Sequence, residues 1–187
     1  MSWADNLADA ARDQLAERLP QLIAADAAAQ SAGLRVPTTY QQTVNAAALS
    51  TASYPAVAVA VPGTTADAVL VDGHWDTSWS LEVGVFDRGR DYNDAQARRG
   101  LWSRLLASAI MSRPSLGGIS TGIEGFSVDS IVNGDKTTAR TVSFSVVTFT
   151  VHTLTDLDFA AEPPPPLEQI ITTITPVKYL SEKGILP

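Results

Sequence analysis

The sequence predicts an α+β domain: an antiparallel β-sheet packed against two helical elements, followed by an extended C-terminal arm. Apolar residues recur at helical spacing near the N-terminus and again between Ala95 and Ile110. They alternate in the segments between and after those stretches. Four consecutive prolines, Pro163 to Pro166, then set the last residues apart. Helix, strands, helix, strands is the order of a sheet covered by helices. The domain is expected over 1–160, with spacer and assembly arm over 161–187.

The first helix rests on Trp3, Leu7, Ala11, Leu15 and Leu19, which make one apolar stripe. Pro20 lacks an amide and clashes with the preceding turn, so a break or kink is expected there. A short second helix would then run from Pro20 to about Gln30 and stop at Gly33. Val36 to Thr39 reads as extended, and the stretch up to Ser53 carries little signal.

Tyr54 to Val61 alternates valine with alanine and reads as a strand bounded by Pro55 and Pro62-Gly63. A second strand is expected at Ala66 to Val71, a hairpin turn at Asp72-Gly73, and a third strand through Trp79, Leu81, Val83 and Val85. Asp91 or Asn93 can cap the next helix. Its stripe is Ala95, Trp102, Leu105, Leu106, Ala109 and Ile110, and Pro114 ends it. Gly100 inside this helix costs about 1 kcal/mol against alanine, which predicts close packing at that point.

Beyond a glycine-rich stretch, Phe126, Val128 and Ile131 or Val132 mark one strand. Asn133-Gly134 is the strongest short hairpin signal in the chain. The next strand changes phase: Val142, Phe144 and Val146 share one parity, Val147, Phe149 and Val151 the other. A β-bulge near Val146 and Val147 accounts for this, as does a strand buried on both faces.

Composition narrows the function. Hydrophobic residues are 45% and charged residues 18%, within the globular range. The longest apolar run, Tyr54 to Val61, is far short of the ~20 residues of a spanning helix, so no membrane role is expected. The start, Met1-Ser2-Trp3-Ala4-Asp5, lacks the basic and apolar regions of a signal peptide. Without cysteine there are no disulfides or thiolate metal sites. The net charge of −7 argues against phosphate-driven binding of nucleic acid. Six arginines lie between Arg88 and Arg113, but Asp87, Asp91 and Asp94 interleave, which reads as a solvated helix face with ion pairs.

Candidate sites are few. Gly118-Ile119-Ser120-Thr121-Gly122 matches the G-x-S-x-G hydrolase pattern, with Asp129 and His152 as conceivable partners. That motif needs a strand before it and a helix after it; here the order is reversed, and a glycine loop is the better account. Asp72, His74 and Asp76 alternate and could share a metal, yet polar residues beside a hairpin turn are ordinary. No catalytic, metal-binding or cofactor-binding residue is assigned, and no cofactor is expected. Exposed members of the set Trp3, Trp75, Trp79 and Trp102 would mark contact surfaces. In the arm, Ile170, Ile171, Ile174, Val177 and Tyr179 need an apolar partner, and the intervening threonines favour extended backbone. These five are the expected subunit or partner interface.

Several segments together resemble the tail terminator proteins of long-tailed bacteriophages. They are the helical start Leu7 to Asp26, the strand Tyr54 to Val59, and Leu81-Glu82-Val83-Gly84-Val85-Phe86-Asp87-Arg88-Gly89-Arg90-Asp91 leading into helix. Ser115-Leu116-Gly117-Gly118 and the hairpin around Asn133-Gly134 complete the set. The resemblance spans roughly residues 3 to 152 and lies in order and texture. It implies a homo-oligomeric ring, usually six subunits, in the neck of the virion, assembled in the host cytoplasm. Such a ring ends growth of the tail tube and docks it to the head connector or stopper protein. The family has no catalytic residues to carry over. The proline spacer and arm depart from its compact members. A head–tail adaptor or stopper is the alternative role; a Ser120 hydrolase and a monomeric ligand-binding module belong to other classes.

Overall fold

The computed structural model describes residues 3–41, 54–133 and 141–156, with backbone alone for 130–133 and 156. It is an α+β fold, as the sequence predicts. In chain order it contains α1 (Trp3–Ala25), α2 (Ala27–Ser31), β1 (Thr39–Gln41), β2 (Ala56–Thr64), β3 (Val69–Val71) and β4 (His74–Gly89). These are followed by α3 (Tyr92–Met111), β5 (Gly122–Asn133) and β6 (Thr141–Asp156). The sheet order is β1-β2-β4-β6-β5, with β3 paired to the far end of β4. β1 is parallel to β2, and every other pair is antiparallel.

The core lies between one sheet face and the helices. Leu7, Ala11, Leu15, Leu19 and Ile23 of α1 and Trp102, Leu106 and Ile110 of α3 meet Val57, Val59, Leu81, Val83, Val85, Val147, Phe149 and Val151. The strand residues all have the parity that faces the helices, because side chains alternate along a strand. Each fully buried Leu, Val or Ile contributes roughly 1.5–3 kcal/mol from its removed apolar surface.

Polar groups fix how the helices sit. The buried Gln14 amide donates to the carbonyls of Ala109 and Ile110, both at 2.8 Å, tying α1 to the last turn of α3. Asp91 caps α3 by accepting from the Asp94 amide at 2.9 Å. The Asp94 carboxylate in turn accepts from the Arg90 amide at 2.8 Å. At Gly89 the helix start lies so close that a Cβ would stand 2.5 Å from Ala95 N, so only glycine fits.

Beneath this junction Asp87 is buried. Its carboxylate accepts from Trp102 Nε1 at 2.8 Å and the Arg88 amide at 2.7 Å, with Arg98 Nη1 at 3.4 Å. Arg98 also contacts Asp94 at 3.0 Å, while Arg104 pairs with Asp26 and Arg113 with Glu17. The arginine cluster is thus largely an ion-pair network, and part of it is buried.

Several expectations are corrected. Helix α1 runs through Pro20 to Ala25, and Asp26, accepting from the Ala29 amide, starts the second helix. The carbonyl that Pro20 leaves unpaired belongs to exposed Ala16, where water can satisfy it. Trp3 lies outside the buried stripe and is exposed. Gly100 is exposed too, and a Cβ there would meet nothing within 4 Å. No close approach explains it.

The phase change in β6 is not a bulge. Its register with β4 is unbroken from His74↔Asp156 to Gly89↔Thr141. Val147, Phe149 and Val151 therefore face the helices, while Phe144 and Val146 are half-buried on the opposite face. The bulge lies in β5, between Glu124 and Phe126, where Gly125 has φ +61°. β5 and β6 do pair in sequence, but with Asn133 opposite Val142, so Asn133-Gly134 is no two-residue turn. The Asp72-Gly73 turn does form, with φ of +49° and +83° and Val71 opposite His74.

Candidate functional site

Ser120 does not form a nucleophile site. Its Oγ donates to the Gly122 carbonyl at 2.8 Å and accepts from the Gly122 amide at 3.1 Å, and the residue is buried. The His152 ring engages other groups, with Nδ1 3.1 Å from Ser78 Oγ and Nε2 3.0 Å from Glu124 Oε2. Those neighbours follow from register, since Ser78, His152 and Gly122 are opposed across three strands. This histidine lies on an open sheet surface and is locked by flanking side chains. Asp72 sits in the turn while His74 and Asp76 lie on β4, and no group of three metal-capable side chains gathers among the described residues.

What the surface does carry is apolar area. Phe126 is 56% exposed, Val128 50% and Met111 43%. The Gly125 bulge turns Phe126 to the helix side, where its ring lies 6.0 Å from that of buried Phe149. Together with Ala107 on α3 these residues line a groove of about 460 Å³. β5 bounds the groove and ends the sheet: among the described residues only β6 pairs with it. A long edge strand with exposed apolar side chains is a template for another chain.

A second apolar surface lies toward the other side of the sheet. β4 and β6 run on past β2, whose last pair is Thr64↔Trp79, and β3 borders β4 there. On this extension Leu70 and Trp75 are exposed on one face, and Val69, Val71 and Leu154 on the other. Trp3 and Trp75 line a neighbouring groove of about 510 Å³ with half-buried Trp79, whose Nε1 donates to Thr153 Oγ1 at 3.0 Å. Trp102 is the tryptophan of the core. The exposed pair could be flagged as contact candidates from sequence, but the groove beside Phe126 could not, because it depends on the bulge.

On the face away from the helices, Phe86 and Phe144 stack with centroids 4.2 Å apart and an interplanar angle of 23°. Phe144 leans over Gly84, where a Cβ would come within 2.8 Å of the ring. The predicted interface residues Ile170, Ile171, Ile174, Val177 and Tyr179, and the whole arm, lie outside the described residues. Among those described, no helix is long and apolar enough to cross a membrane.

The fold defines a two-layer α+β protein, with two separate exposed apolar areas among the described residues. No family model and no curated protein sequence matches the chain. Among solved structures it is similar to a chain of the virion of a native gene transfer agent particle. The identity is 12%, the match covers 74% of this chain and 94% of that one, and the TM-score is 0.32. A superposition this loose carries no argument about function.

Proposed function

We propose that the protein is a structural virion subunit of the phage neck, forming a ring that caps the tail tube, ends its growth and docks it to the head connector. The observation that carries this reading is the pair of unlike apolar surfaces toward opposite sides of one sheet. One is the β5 edge with Phe126 and Val128; the other is the β3–β4 extension with Leu70 and Trp75. A subunit that joins its neighbours head to tail needs two different patches, and such joining closes into a ring when the rotation permits. The resemblance to tail terminators supplies the ring size, six, and the neighbours, the tail tube protein and the connector or stopper. Ser120, held by its own loop, takes no part.

Electron microscopy of the purified protein, alone and with tail tube protein, tests the reading. Closed rings and capped tubes of limited length are expected. A monomer at all concentrations that leaves tube growth unaffected would overturn it.

A further inference from the structure

We infer that residues 115–120 form a strained latch on α1, which opens locally, while the rest of the domain stays folded, by withdrawing the Leu116 side chain from the core. Nothing in the latch depends on ring formation. Leu116 is fully buried and belongs to the same core cluster as Leu7 and Ala11 of α1. Its backbone, however, lies in the left-handed region at φ +44°, and Gly117 and Gly118 follow at +70° and +93°. Glycine adopts that region freely. A leucine does not, because its Cβ crowds the following carbonyl oxygen. The penalty is about 5- to 30-fold in population. Burying the leucine side chain favours the closed loop by about 10- to 150-fold. Plug and strain therefore nearly offset each other.

The polar bonds of the loop leave it free to swing as a unit. The Leu116 amide donates to the Arg113 carbonyl at 3.1 Å, and the Gly118 and Ser120 amides donate to the Ser115 carbonyl at 2.8 and 2.9 Å. Among the described residues, no backbone hydrogen bond runs from 116–120 to α1 or to the sheet. Ser120 Oγ exchanges its bonds with Gly122, at 2.8 and 3.1 Å. Pro114 marks one end of the swing. Thr121 marks the other, its amide donating to the His152 carbonyl at 2.9 Å. Opening thus leaves no buried backbone group without a partner.

The loop is also undercut. A cavity of about 570 Å³ separates Asn6, Asp9 and Asp13 on α1 from Gly117 and Ile119. Beside the plug, the tie from loop to helix is the Arg113–Glu17 pair at 2.9 Å, whose side chains are both about half exposed. Such a pair holds little. Opening bares Leu116 and half-buried Ile119 as an apolar pair that the closed form hides, so whatever takes that pair selects the open form.

Thiol labelling of the folded protein tests the latch, because the full chain has no cysteine. Ser120→Cys is a near-isosteric reporter in the loop, at a position 5% exposed, and it leaves Leu116 in place. Ser145→Cys, at a position 1% exposed on β6, is the control. Each is treated with an aromatic disulfide reagent in buffer and in low urea. Ser120→Cys should react at least about tenfold faster than Ser145→Cys, at a rate nearly flat in urea, since local opening exposes little surface. Leu116→Ala, which removes the plug and keeps the left-handed backbone, should speed Ser120→Cys by at least about fivefold. Equal rates for the two thiols, with the same steep rise in urea, would mean that the loop opens only when the domain unfolds, and would overturn the inference. An unchanged rate in Leu116→Ala would overturn it as well, since the leucine would not be what holds the loop. If Ser120→Cys does not fold, Leu116→Cys against Leu106→Cys, both fully buried positions, gives the same comparison with the same two outcomes.

Discussion

Replacing Asp87 by alanine should destabilise the domain by about 3–5 kcal/mol, because it removes the shared acceptor of a buried network. Trp102 is fully buried, and its Nε1–H has Asp87 Oδ2 as its acceptor at 2.8 Å. An orphaned buried donor costs about 1–3 kcal/mol, and hydrogen bonds to a charged group carry about 1.5–3 kcal/mol. The Arg88 amide, 2.7 Å from Oδ1, loses its partner too. Arg98 loses less, since Asp94 at 3.0 Å and the Ala32 carbonyl at 2.8 Å still hold it. Asp87→Asn keeps the shape and one oxygen acceptor but turns its NH2 toward the donor on the other oxygen's side, so it should lose less than alanine, about 2–3 kcal/mol. Urea melts at one protein concentration, analysed at fixed slope, give both values. In a double-mutant cycle, Trp102→Phe should couple to Asp87→Ala by at least 0.5 kcal/mol. If Asp87→Ala costs under about 1 kcal/mol, or no more than Asp87→Asn, the buried acceptor is not what holds strand and helix together.

Three other outcomes follow from the same structure. Gly100→Ala should stabilise the domain by about 1 kcal/mol, since the site is exposed and open; destabilisation in the same melts would reveal a contact at that position. Phe144→Ala should cost about 1.5–3 kcal/mol, less than the 3–5 kcal/mol expected for Phe149→Ala, because Phe144 is half-buried against Phe86 and Phe149 faces the core. Equal losses would place both rings in one core. In acid, burial pushes the Asp94 carboxyl up, but hydrogen bonds from the Arg90 amide and side chain, and the Arg98 guanidinium, outweigh it and hold it below its ordinary 3.8. The Ala29 amide, against some burial and with help from Arg104, does the same for Asp26. A depressed folded value means stability that is complete above the unfolded value and lost as pH falls through the folded one. Melting temperature should therefore hold steady at pH 5–7 and fall below pH 3.8, with a shallower fall in Asp26→Asn.

By itself the sequence determined those elements whose signals are local. The stripe Leu7 to Leu19, the Asp91 cap and the Asp72-Gly73 turn need only residues a few positions apart, so periodicity and backbone preference suffice to place them. The α+β order followed. Its misses were decided by tertiary contacts. Pro20 locally favours a helix break, but burial of Leu19 and Ile23 beside it outweighs one lost hydrogen bond. Phe144 and Phe149 carry equal local signals, and only the position of α1 and α3 makes Phe149 the inward ring. The groove was illegible for the same reason. Gly125 in the left-handed region shifts Phe126 across the sheet beside Val128 of the same strand, and Met111 comes from α3, a distant segment packed against that face. Alternation states which residues share a face; which face becomes the core is settled only when the helices pack against it.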